Sequence, residues 1–227
     1  MREPLLRFHE VGGDRYEVSD IDIRGLSRLR LFVFDLEATG LDTSRERITQ
    51  IAGVPLERGA ILEAEGFSQL VDPGPGAEIS AEVQELTGIT PERLAGAPRL
   101  PEAWAACRAA ARGCDLWIGQ SVFEFDVPLL HAEFARHGLP PALPPMLDSV
   151  VLATALLGEP EGRWSTSALL QRFRVNTDGL RRHDALDDVK ILGRILLPLL
   201  HMLREERADH LFVPPEKRLS IKRHPPR

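Results

Sequence analysis

RLRLFVFDLEATG, residues 28–40, decides how this chain folds. Leu31 to Phe34 is a compact run of β-forming residues, which reads as a buried strand. Residues two apart on a strand point to the same face, so Asp35 and Glu37 project together from the end of this one. Two adjacent carboxylates repel each other and lose hydration, which is costly unless a cation sits between them. A divalent metal ion with oxygen ligands is the natural partner. Taken alone, the D-x-E pattern is equally compatible with a polar strand end facing solvent.

Working outward, RITQIAGVPLERG (47–59) and AILEAEGFSQLVDPG (60–74) read as two further strands separated by turn residues. With the first they suggest an antiparallel meander. From Ser80 the pattern becomes helical. SAEVQELTG (80–88) has a Ser N-cap and a closing glycine, and TPERLAG (90–96) has Pro91 in its first turn. PEAWAACRAAARG (101–113) reads as a longer helix, DLWIGQSV (115–122) as a strand, and DVPLLHAEFARHG (126–138) as a helix. MLDSVVLATALL follows a proline-rich loop, and a last helix spans roughly Ala185 to Leu203, with Pro198 as a potential kink. Three strands followed by alternating helix and strand imply an α/β fold, with a mixed central sheet of antiparallel meander and parallel strands flanked by helices. Residues 1–30, which hold a GGD turn between two extended runs, are expected to form an N-terminal arm or hairpin. Residues 31–205 are expected to form the main domain, and 206–227 a basic, proline-rich, disordered tail.

The chain has 227 residues, of which 43% are hydrophobic, enough for one substantial core. No apolar run approaches the roughly 20 residues that cross a bilayer, and the N-terminus lacks the apolar core of a signal peptide. A soluble, cytoplasmic protein is therefore expected. Cys107 and Cys114 fit neither a zinc knuckle nor a redox pair and read as free thiols. A net charge of −6 argues against a protein that coats DNA without regard to sequence. It does not argue against an enzyme that grips a few terminal nucleotides, because bound cations would invert the local potential.

Two further stretches carry candidate chemistry. Asp126 lies in FEFDVPLLHAEF, before a helix; alone it reads most simply as an N-cap. RRHDALDDVKILGRILLPLL holds His183, Asp184, Asp187 and Asp188. At helical phase Leu186, Val189, Leu192, Ile195, Leu196 and Leu199 form one apolar face, and Asp188 falls within it. A core-facing carboxylate needs a reason such as a metal. Asp187 falls on the opposite side with Lys190 and Arg194, where a surface pair is the simple reading. His183 precedes the helix, at a position where a surface histidine is the commoner outcome.

In this order, D-x-E on a strand, F-D before a helix and H-x4-D at a late helix resemble the DEDD exonuclease superfamily in its histidine subtype, which includes the proofreading epsilon subunit of bacterial DNA polymerase III. The resemblance covers about residues 31–203 and takes in RITQIAGV, VDPG…LTGIT and MLDSVVLATAL. There are departures: Ala38-Thr39 stands for a pair of threonines, Thr87 for a histidine, and Gln120-Ser121 for His-Asn. They touch substrate contacts and loop length and leave the catalytic set complete.

The resemblance implies a ribonuclease H-like fold and a 3′→5′ exonuclease acting on DNA or RNA. Asp35, Glu37, Asp126 and Asp188 would bind two divalent cations, Mg²⁺ or Mn²⁺, and His183 would be the general base. Thr39, Gly40 and Leu41 would lie against the terminal nucleotide, and Phe123 or Phe125 is a candidate for stacking on a base. The implied partners are a nucleic-acid 3′ end, single-stranded or frayed, and a DNA polymerase or repair complex. The rivals are a catalytically weak binding subunit of such an assembly and a phosphodiesterase for very short oligonucleotides. Lys217, Arg218, Lys222, Arg223 and Arg227 in the tail are candidate contacts to a partner or to nucleic acid, with solvated chain as the simpler reading.

Overall fold

The computed structural model describes residues 5–160 and 163–223. Its first strands are β1 (Arg7–Glu10), β2 (Arg15–Ser19) and β3 (Ile21–Arg24). The apolar run of the opening stretch becomes β4 (Leu31–Ala38), followed by β5 (Ile48–Glu57), β6 (Ala60–Ile61) and β7 (Phe67–Leu70). Helices α1 (Ala81–Thr87), α2 (Pro91–Leu94) and α3 (Leu100–Ala110) come next, then β8 (Leu116–Gly119) and α4 (Asp126–His137). The chain continues through β9 (Met146–Asp148), α5 (Ser149–Leu157), α6 (Thr166–Phe173) and α7 (Ala185–Arg207) to β10 (His210–Val213) and β11 (Leu219–Lys222).

The main sheet has the order β6-β5-β4-β8-β9, with β7 also paired to β5. β4 runs antiparallel to β5, and β5 to β6 and β7, so the meander forms. β4, β8 and β9 are parallel neighbours. Side-chain alternation along β4 divides the core in two. Leu31 and Val33 pack with α5, α6 and α7 on one face, whereas Phe32, Phe34 and Leu36 pack with α3 and α4 on the other. The second face is aromatic: Trp117 lies 4.7 Å from Phe32, 5.0 Å from Phe34 and 5.5 Å from Trp104 between ring centroids. Helix starts follow their caps: the Ser80 hydroxyl accepts from Val83 N–H, and Gly88 closes α1 at a φ of 72°. Helix α7 is continuous through Pro198, so the kink expected there does not break it. Cys107 is buried and Cys114 half-buried, and both are free.

Two features depart from the sequence reading. Helix α6 has no counterpart in it; Ser165 caps this helix by accepting from Ala168 N–H, and Leu169 anchors it in the core. The tail is not disordered over its described part: β10 pairs with β3, and β11 pairs with β2. Leu211, Val213 and Ile221 are buried, which supplies the apolar burial that an isolated basic segment lacks. Two of its basic residues find acidic partners on the opposite end of the chain, Arg218 with Glu17 at 3.0 Å and Arg223 with Glu10 at 2.6 Å. Arg227 lies outside the described residues.

Candidate active site

The carboxylate cluster begins where β8 stops accompanying β4. Their pairing ends at Val33 and Ile118, so Asp35 and Glu37 extend past the neighbouring strand on the face that packs α7. Gly119 lets the chain leave at this point: a Cβ there would lie 2.7 Å from the Phe34 carbonyl oxygen and 2.4 Å from Val122. Helix α7 then brings Asp188 to β4. Carboxylate oxygens of Asp35, Glu37 and Asp188 lie within 4.8 Å of one another.

Asp188 is bound through both oxygens. Oδ1 accepts from Arg182 Nε at 2.6 Å, and Oδ2 accepts from the His183 backbone N–H at 2.9 Å. The second bond holds His183 at a φ of 63°, a left-handed conformation that non-glycine residues adopt only where the surroundings impose it. Asp184 caps α7, its Oδ1 accepting from the N–H groups of Leu186 and Asp187. Asp187 points away from the cluster, accepting from Arg181 N–H at 3.1 Å and Lys190 Nζ at 3.2 Å. Three neighbouring aspartates thus have three different surroundings.

Asp126 is 3% exposed and occupies the first position of α4; Phe125 is the N-cap residue, and no side chain caps the helix. The capping reading of Asp126 is therefore incorrect. Its Oδ1 is buried and has no hydrogen-bond partner. Leaving a carboxylate oxygen so costs on the order of several kcal/mol unless a cation completes its surroundings. An orphaned carboxylate oxygen beside three clustered carboxylates fits hard divalent cations, which take oxygen ligands.

The electrostatics agree. Burial pushes the Asp35 carboxyl well above the usual range, and the charges of Glu37, Asp126 and Asp188 push it further; Arg182 opposes them. Glu37 is pushed up to about 8, by burial first and then by Asp188 and Asp184. Asp126 is raised as well, by burial before any neighbouring charge. Between an unfolded pKa of about 4.3 and a folded value of about 8, the folded state binds the Glu37 proton more tightly. Glu37 therefore contributes stability below the lower value, and that contribution is lost as pH rises through the upper one. In chelator, the melting temperature of Glu37→Gln should equal or trail that of the parent at pH 5 and exceed it by on the order of a few °C at pH 8.5. Parallel melting curves across this range would show that Glu37 carries no such strain.

The loop after β4 is anchored rather than open. Thr39 is buried, its N–H donating to Arg47 O at 2.9 Å and its hydroxyl to Glu46. Arg136 donates to the carbonyls of Ser44 and Glu46 and pairs at 2.7 Å with the buried Glu133. Gly40 is half-buried and Leu41 is 62% exposed, so Leu41 is the side chain of this trio presented to solvent.

Asp148 enters the sequence reading only as part of MLDSV. It is fully buried, with a carboxyl pushed up to about 6 by burial. It accepts from the N–H groups of Ser121 at 2.9 Å, Phe123 at 3.4 Å and Val150 at 2.9 Å, and so fixes the loop that delivers Asp126. Arg163 reinforces that loop through Glu124 at 2.8 Å and the Ser121 hydroxyl. No local pattern marks Arg163, because its partners are about 40 residues away in sequence.

Comparison with known proteins accords with this arrangement. The profile of the RNase T exonuclease family matches residues 32–196. DNA polymerase III PolC-type of Streptococcus pyogenes serotype M1 is 33% identical over 193 residues, which is 85% of this chain and 12% of that protein. The chain thus spans about an eighth of the length of the curated relatives it matches. Among solved structures, the nuclease domain of 3′hExo, a DEDDh family member bound to rAMP, superposes with a TM-score of 0.67 at 19% identity, over 77% of this chain and 92% of that one. Exonuclease X in complex with 5′ overhanging duplex DNA gives a TM-score of 0.59 at 24% identity, over 75% and 91% respectively. The order of strands and helices is the ribonuclease H-like one that these enzymes share. The family profile runs from β4 into α7 and includes Asp35, Glu37, Asp126 and Asp188, so the chain belongs to the RNase T exonuclease family of the DEDD superfamily and is a nuclease.

Proposed function

We propose that this chain is a cytoplasmic, metal-dependent 3′→5′ exonuclease that releases nucleoside 5′-monophosphates from a DNA or RNA 3′ end. The observation that carries this reading is the convergence of Asp35, Glu37 and Asp188 within 4.8 Å, with Asp126 buried and unpartnered at Oδ1 at the start of α4. The four carboxylates would hold two Mg²⁺ or Mn²⁺ ions, which supply Lewis-acid stabilisation of charge at phosphorus and make water nucleophilic near neutral pH. The remaining chemistry belongs to the chain. His183, held on the turn before α7, takes the proton from the attacking water. Asp188 holds His183 in place through the backbone bond at 2.9 Å. Arg182, paired with Asp188 at 2.6 Å, would offset negative charge that develops on the phosphate. Leu41 packs against the terminal nucleotide while the rest of its loop stays fixed on α4. The bond that breaks leaves the 3′ oxygen on the penultimate nucleotide.

The PolC-type relatives suggest a polymerase as partner for the chain. The test is a comparison of 5′-labelled single-stranded DNA, duplex DNA and RNA in Mg²⁺ or Mn²⁺. The expected pattern is a ladder shortening one nucleotide at a time from the 3′ end, with mononucleotide products and silence in excess chelator. Internal cuts, or shortening from the 5′ end, would refute the reading.

A further inference from the structure

The two ends of the chain build a small sheet of order β1-β2-β11. Tyr16, Val18 and Ile221 from this sheet are buried in the same core as Val33 and Val189, on the face of β4 that presents Asp35 and Glu37. Phe8 lies opposite Val18, and its ring stacks on Tyr16 with centroids 4.9 Å apart and planes at 18°. It also meets Phe123 edge to face at 6.2 Å and 69°. Residues 121–127 form a tight turn, with Val127 N–H donating to Val122 O at 2.8 Å, so Phe123 sits within one turn of Asp126. That turn is fixed by Asp148 and Arg163, and Arg163 also donates to Lys222 O on β11 at 3.1 Å. Phe8 is nevertheless 38% exposed. Among the described residues, Phe8 and Phe212 are the exposed large aromatics, and Phe8 is the one in contact with the loop that carries a catalytic carboxylate.

A ring held by two other rings has little rotamer freedom left to lose, and its exposed surface attracts another flat apolar surface. Beside a nuclease centre, the flat surface at hand is a nucleobase, and stacking on an aromatic side chain tolerates any base. The base must be unpaired, because a duplex stacks its faces on its own neighbours. We propose that Phe8, backed by Tyr16 and braced by Phe123, is the stacking platform for an unpaired base upstream of the 3′-terminal nucleotide, which makes single strands the preferred substrate class. This rests on the exonuclease reading above.

The experiment compares the full-length parent with Phe8→Leu, which keeps apolar packing, and Phe8→Trp, which keeps the ring. Binding of fluorescein-labelled dodecathymidylate with its last linkage blocked against hydrolysis is measured by anisotropy. Turnover is measured on unblocked strand and on the p-nitrophenyl ester of thymidine 5′-monophosphate, which has no upstream base. Phe8→Leu should bind the strand on the order of tenfold more weakly and hydrolyse the ester like the parent. Phe8→Trp should bind like the parent, with added tryptophan fluorescence that the strand quenches. Equal losses on ester and strand would reduce Phe8 to a structural brace. Unchanged strand binding by Phe8→Leu, or a parent that does not bind the strand, would overturn the proposal. A parent that binds the strand but cleaves neither substrate would refute the exonuclease reading, with the Phe8 assignment then decided by the anisotropy alone.

Discussion

Asp188→Asn is expected to lower turnover by about 10³-fold or more, while Asp187→Asn, one residue away, leaves it within about twofold. Removing a charge from a site built to hold cations forfeits several kcal/mol of transition-state stabilisation, and each ~1.4 kcal/mol is tenfold in rate. Asp188 lies within 4.8 Å of Asp35 and Glu37, whereas Asp187 is taken up by Lys190 and the Arg181 N–H. Asn preserves the shape and an oxygen acceptor for the His183 N–H, so the turn before α7 should survive. The loss should therefore appear in kcat and in metal affinity, with circular dichroism and melting temperature intact in chelator. Asp187→Asn should cost at most a few tenths of a kcal/mol of stability, the value of an i, i+3 pair on a helix surface. An inactive Asp187→Asn beside an active Asp188→Asn would overturn the assignment of this helix.

The second large effect is expected at His183. If it takes the proton from water it must be neutral, so the parent's kcat should climb as pH rises through the imidazole pKa, ~6.5 when unperturbed. His183→Ala should fall by on the order of 10²–10⁴ in kcat and lose that rising limb. Its metal affinity should stay close to that of the parent, because the proposed ligands are the carboxylates and not the imidazole. A variant with near-normal turnover and an unchanged pH profile would make His183 a bystander.

The parts legible in the sequence are those governed by local periodicity. The apolar run into Asp35 and Glu37 forms β4 because period-2 alternation between two buried faces leaves only its far end for polar residues. The phase of α7 separates Asp188 from Asp187 because Val189, Leu192, Ile195, Leu196 and Leu199 define a buried face on which Asp188 lies. Asp126 is ambiguous in sequence because Asp before a helix is a good cap, and only the buried, unpartnered Oδ1 distinguishes the two roles. The C-terminal strands are not legible. Leu219–Lys222 is four residues long, and it pairs with Arg15–Val18 of β2 at the other end of the chain, so short-range pattern carries no trace of the pairing. The same holds for Asp148, whose three N–H donors come from a loop about 27 residues upstream and from its own helix. The resemblance places Thr39 against substrate; the bonds of its hydroxyl and N–H to Glu46 and Arg47 are made by the fold of the intervening loop, which short-range pattern does not show.

Anomalous diffraction from crystals grown with Mn²⁺ and a nucleoside 5′-monophosphate would show whether the four carboxylates form one two-cation centre. Two Mn²⁺ peaks about 3.5–4 Å apart are expected, ligated by Asp35, Glu37, Asp126 and Asp188. A single peak that excludes Asp126 or Asp188, or Mn²⁺ bound elsewhere on the chain, would contradict it.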